Sequence, residues 1–173
     1  MALGGCRLGF PISGLIGGAI SGPVDAAGSA LIGGALTGAG LGAAVWLAAR
    51  DVFGTAAALI AASAAGYGLG LLAGAALVGY ETDLGSLAAM GAISGAVLGT
   101  AQGLTLAAQG RRPLAIAWGV AMPVLFAAGR SASTLGGINV DEQFTVFGAY
   151  GVILFTVLSG FLLARLPPRE PPA

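Results

Sequence analysis

The side chains able to do chemistry are few. Arg130, Asp141 and Glu142 bracket one short polar segment, and Glu81 and Asp83 form a second acidic pair. If both segments lie on one membrane face, Arg130 offers an outer site for an anionic or zwitterionic solute or for a partner. An arginine at the end of a span also has a plainer use, snorkelling to the interface and pairing loosely with acids. The four carboxylates could also hold a hard cation, although two loops of acids are a weak ligand set. Gln102 is the most polar side chain well inside an apolar run, with Thr105 and Thr100 nearby and Ser94 two turns back. Its amide must bond a neighbouring hydroxyl or carbonyl, so it reads as glue between helices or as a ligand contact.

Other chemistry is excluded by what is missing. The chain has no histidine and no lysine, and its one cysteine is Cys6. A Ser-His-Asp triad, a Walker lysine, a Schiff base and a His-ligated metal all fall away. One cysteine makes neither an internal disulfide nor a thiolate metal site. Leu3-Gly4-Gly5-Cys6 has the look of a lipoprotein box but lacks the charged and apolar regions that such a signal needs. No catalytic constellation, cofactor site or metal site is expected. Net charge is zero with no basic run, so nucleic acid is not an expected partner.

The elements that position these residues follow from composition. Of 173 residues, 57% are hydrophobic, 8% are charged and 32 are glycine. Soluble domains carry about 25% charge, so the expected surroundings are a lipid bilayer. Charges divide the chain into apolar runs near 8–24, 26–49, 52–80, 84–110, 113–133 and 143–165. A helix needs about 20 apolar residues to cross hydrocarbon. The expected fold is all-α, a polytopic transmembrane helical bundle of six spans within one domain, residues 1–166. The short first run could fail to cross, which would leave five. Residues 167–173 read as a disordered, Pro-rich cytoplasmic tail.

Orientation follows from the arginines. With the N-terminus cytoplasmic and six crossings, six of the seven arginines fall inside and only Arg130 falls outside. Both termini are then cytoplasmic, and the acidic turns face outward. Asp25, Asp51, either Thr82 or Asp83, and Asp141 stand where helix N-caps are expected. Pro113 suits a first helical turn, and Pro123 is expected to kink the fifth span.

The chain also repeats. GSALIGGALTGAGLG at 28–42 and GSLAAMGAISGAVLG at 85–99 match at eight of fifteen positions, and GAISG at 18–22 recurs at 91–95. The repeat unit is two helices, near 25–80 and 82–133, with a half unit at 141–165. Glycine recurs every fourth residue in Gly14/Gly18/Gly22, Gly34/Gly38/Gly42, Gly66/Gly70/Gly74 and Gly91/Gly95/Gly99/Gly103. Four residues advance a helix by about 400°, so each series is one narrow stripe suited to close helix packing. The stripes are expected to pack within the chain or to dock a second copy or another membrane protein.

Gly91-Ala-Ile-Ser-Gly-Ala-Val-Leu-Gly99, then Gln102 and Leu104, the arginine turn and Ala117-Trp118, resemble glycine-rich (glycine-zipper) bacterial polytopic membrane proteins. Those carry an internal two-helix repeat and have no established activity. The resemblance covers most of residues 28–164 and departs at Val45-Trp46-Leu47, where the glutamine patch is replaced. It implies a bacterial inner-membrane location and no defined reaction. Two functions are carried forward. The first is a packing or accessory subunit associating through glycine faces. The second is a small-solute transporter or substrate-binding component with an outer-face site, similar in size to the substrate-capture subunits of energy-coupling-factor transporters.

Overall fold

The computed structural model describes residues 3–137, 154, 155 and 157–161, with side chains from Ile12 onward. Asp141, Glu142, the tail, most of the sixth run and the side chain of Cys6 lie outside the described residues. Among the described residues five helices run in order, α1 (Leu3–Ser21), α2 (Ala27–Phe53), α3 (Ala56–Leu77), α4 (Leu84–Ala107) and α5 (Arg112–Leu135), and residues 154, 155 and 157–161 are helical as well. The described residues contain no strand. Four helices, α2 to α5, are long and apolar enough to cross a membrane. The part of α1 whose side chains are described, Ile12–Ser21, is apolar.

Each helix packs on the next in sequence, and the glycine contacts show the direction. On α2, Gly34 lies against Gly68, Gly38 against the Ser63 carbonyl and the Tyr67 Cβ, and Gly42 against Ile60. On α3, Gly66 faces Ala101, Gly70 faces Ser94 and Gly74 faces Met90. On α4, Gly91 meets Phe126, Gly95 and Gly99 meet Met122, and Gly103 meets Ala115. Low numbers in one helix meet high numbers in its neighbour, so α2 to α5 run antiparallel in turn. One end of the bundle therefore carries the acidic turns at Asp25 and Glu81–Asp83, and the other carries Arg50, Arg111 and Arg112. Leu41, Leu59, Tyr67, Leu98, Trp118, Met122 and Phe126 fill the interior. Leu47, Leu69, Leu104, Ile116 and Val120 stay exposed on the outside, as lipid-facing positions must.

The stripe expected on α1 needs correction. Gly14 is buried, but Gly18 is only half-buried. Gly22 is no part of the helix: it sits at φ 72° with nothing near its missing Cβ, and its N–H closes α1 on the Gly18 carbonyl at 2.9 Å. The physical reason is drift. Four residues overshoot one turn by about 40°, so two steps carry the series well around the axis. Among the described helices α1 packs chiefly on α2, and the series leaves that contact face. Gly38, by contrast, is fully engaged with α3 and is not free to dock a second copy or another protein.

The boundaries differ from the charge-derived ones for a physical reason: charges mark where the chain leaves the apolar layer, while backbone geometry ends a helix. At Ala49, the charge-derived end of the second run, the backbone does leave helical geometry (φ −141°, ψ 38°); a short helical stretch carrying Arg50 and Asp51 follows and ends at Gly54, whose φ of 73° and ψ of −124° suit glycine. Asp51 consequently caps nothing, and α3 starts at Thr55 with no side-chain cap. Asp25 is one residue too early. Its carboxylate accepts from Ser29 Oγ at 3.4 Å, and Ser29 Oγ in turn accepts from the Ala26 backbone N–H. Pro113 does occupy the first turn of α5, and the helix runs on through Pro123.

Asp83 is the cap that forms as expected, its carboxylate accepting from the N–H groups of Gly85 at 2.8 Å and Ser86 at 3.2 Å. Hydrogen bonds from Ser86 hold the carboxyl below its usual value of 3.8. A depressed folded value means that the contribution is fully present above pH 3.8 and is lost as pH falls through the folded value. Asp83→Ala is expected to lower the unfolding midpoint at pH 7, with the gap to the native chain smaller at pH 2 than at pH 7. Asp83→Asn, which keeps the acceptor, should retain most of the difference. An equal Asp83→Ala gap at both pH values would contradict this.

Candidate functional site

Two polar constellations lie inside the bundle. The first is built on Gln102, which is completely buried. Its Nε2 donates to Ser63 Oγ of α3 at 2.8 Å, and its Oε1 accepts from Trp118 Nε1 of α5 at 2.7 Å. Ser63 Oγ passes its own proton to the Leu59 carbonyl at 2.6 Å. One amide thus joins three helices, its donor and acceptor ends both used. The Trp118 ring is fixed from its other side by Phe53, edge to face at 5.2 Å. Thr105 does not join this relay. Its hydroxyl bonds the Gln102 carbonyl of its own helix, Ser94 bonds back to Met90, and Thr100 is exposed. A buried Trp needs an acceptor for its indole N–H, and that requirement is the signal that pairs Trp118 with Gln102. Ser63, the one serine of α3, completes it.

The second constellation is Arg130. The snorkelling expectation is corrected here, because Arg130 is 1% exposed. Helical side chains lean toward the N-terminus of their helix. Arg130 lies five residues from the end of α5, so its side chain is directed back into the bundle rather than out to the near surface. There its charge acts on the fully buried Tyr67 hydroxyl of α3. The ring of Tyr67 packs on Phe126 at 5.4 Å, and Phe126 packs on Phe155 at 5.1 Å. Arg130 Nε and Nη2 are buried and have no hydrogen-bond partner among the described residues.

The other outer-face candidates do not gather round Arg130. Asp83 is spent on the α4 cap, and Glu81 is exposed, accepting from Ser86 Oγ at 3.5 Å. Among the described residues no group of acids, cysteines or histidines could hold a metal ion.

At the opposite end the α4–α5 turn closes over the α2–α3 turn. Arg111 Nη1 donates to the Val52 carbonyl at 2.9 Å and Gln109 Nε2 to the Phe53 carbonyl at 3.0 Å. Trp46 Nε1 donates to the Gly54 carbonyl at 2.9 Å. These donors satisfy carbonyls at the end of α2, where a cation also complements the helix dipole. Comparison of the whole chain with protein-family models, with curated proteins and with solved structures finds no match.

Proposed function

We propose that this chain is a membrane-embedded binding component for a small solute, organised around Arg130 and reached from the acidic end of the bundle. The observation that carries the reading is a guanidinium sealed inside the bundle with two nitrogens unsatisfied. Charged groups within a membrane span are costly and mark substrate or ion pathways. Placing the acidic end outside puts six of the seven arginines in the cytoplasm, so the solute would be met from outside.

The accessory-subunit reading has less surface to work with. The stripes of α2, α3 and α4, Gly38 and Gly95 at their centres, lie against backbone or side-chain atoms of this same chain. It would have to rest on α1, where Gly18 is half-buried and Ile12, Leu15, Ile16 and Ile20 are exposed. The test is thermal unfolding of the purified chain in detergent against a panel of neutral, cationic and anionic small solutes. A ligand at 100 times its Kd stabilises by about 2.7 kcal/mol, which is readily measured. No response to any class would remove the basis of the proposal.

A further inference from the structure

The two unsatisfied nitrogens of Arg130 are not an arbitrary pair. In a guanidinium, Nε–H lies on the same side as Nη2, so the two form one edge with parallel N–H groups. Nη1 lies on the other side, and Tyr67 is the polar side chain that the guanidinium acts on. Arg130 thus carries a complete two-donor fork that is buried and has no partner among the described residues. That fork matches the two oxygens of a carboxylate. We infer that the Nε–Nη2 edge of Arg130 is the receptor for a carboxylate, supplied by a small organic acid. This rests on the solute-binding reading above and names the solute's chemical class.

Charge narrows the class. Arg130 is the only charged side chain among the buried described residues. A monoanion neutralises it, whereas a dianion would leave a net negative charge in a low-dielectric interior at a large desolvation cost. A halide would use the fork poorly, having no second atom to offer. Both nitrogens are sealed from solvent in this structure, so the acid enters by a local parting of the acidic end and is occluded once bound. Tyr67 is a positioning residue, keeping the guanidinium plane from turning.

The test uses the full chain in detergent. Acetate, butyrate and benzoate are compared with benzamide, chloride and inorganic phosphate by unfolding midpoint and by calorimetric titration. At least one monocarboxylate should raise the midpoint and bind, and benzamide should do neither. Arg130→Lys keeps the charge without the fork and should weaken binding by about tenfold or more. Arg130→Gln should abolish binding, and Tyr67→Phe should weaken it while leaving the charge in place. Should Arg130→Gln fail to fold, Arg130→Lys and Tyr67→Phe decide the matter.

Carboxylate binding that is unchanged in Arg130→Lys and Tyr67→Phe would overturn the inference. So would phosphate binding more tightly than every carboxylate. A response to neutral or cationic solutes alone would sink the carboxylate assignment and leave the solute-binding reading standing. Silence across all classes would remove both. One further arm separates the two sources of a carboxylate. If the native chain is silent but the Asp141→Asn/Glu142→Gln double variant responds, the fork belongs to the chain's own acids and the organic-acid proposal fails.

Discussion

Gly95→Ala is expected to destabilise the bundle by about 3 kcal/mol, a large loss for one added methyl group. That methyl would lie 2.5 Å from the Met122 carbonyl oxygen and 2.9 Å from the Phe126 Cβ. Both obstacles belong to α5, and the first is backbone, so no rotamer change relieves it and the helices must separate. Separation is costly in lipid, where close van der Waals contact is the main attraction between helices. The better helix propensity of alanine returns at most about 1 kcal/mol. Gly38→Ala should behave alike at the α2–α3 contact, since its methyl would run into the Ser63 carbonyl.

Gly119→Ala is the matched control. It also lies on the α4–α5 pair, but its nearest neighbour would be the Gly99 carbonyl oxygen at 3.9 Å, and Gly28→Ala meets nothing within 4 Å. Both should leave stability unchanged or raise it by up to about 1 kcal/mol. Detergent-denaturation midpoints followed by far-ultraviolet circular dichroism give the comparison. If Gly95→Ala and Gly119→Ala unfold together, close packing is not what holds α4 to α5.

The same contacts show how far residue spacing reaches. Four-residue glycine series pointed to one flat face on each of α2, α3 and α4, and those faces meet neighbouring backbones. The equal spacing of Gly14, Gly18 and Gly22 did not reveal that the chain turns at the third of them. Nor could spacing show that α3, sandwiched between α2 and α4, needs a second close face. Gly68 supplies it, its missing Cβ lying 3.0 Å from the Leu31 carbonyl oxygen of α2. Two residues along a helix is about 200°, the opposite side, so Gly68 belongs to no stripe with Gly66 and Gly70. Gly40 of α2 does the same toward Ser13 of α1. A second face becomes visible only when a helix is known to have two neighbours.

Arg130 shows another limit of the same kind. Counting arginines by side identified it as the exception and attached it to the outer loop. Its depth was not legible, because depth depends on the direction in which a helical side chain leans and on which neighbour fills the space above it. The acids near it in sequence were legible as acids. Asp83, however, had a nearer use in capping α4, and a backbone N–H three residues away outcompetes a guanidinium inside the bundle.

Gln102→Leu is the second large effect. Leucine matches the amide in size, so little cavity forms, and the cost is polar. Trp118 Nε1–H loses its only acceptor in an interior where it is 1% exposed. Ser63 loses an incoming donor but still bonds the Leu59 carbonyl. An unsatisfied buried donor costs about 1–3 kcal/mol, and interhelical hydrogen bonds in membranes reach about 1.7 kcal/mol, so a loss near 2 kcal/mol is expected. Trp118→Phe keeps the aromatic edge against Phe53 while deleting the donor, leaving Gln102 Oε1 as the orphan instead. Combining the two removes both orphans, so the double variant should be no less stable than Gln102→Leu alone, well short of the sum of the two losses. Additive losses would mean that the amide and the indole act independently, and that the relay joining α3, α4 and α5 is not a single unit.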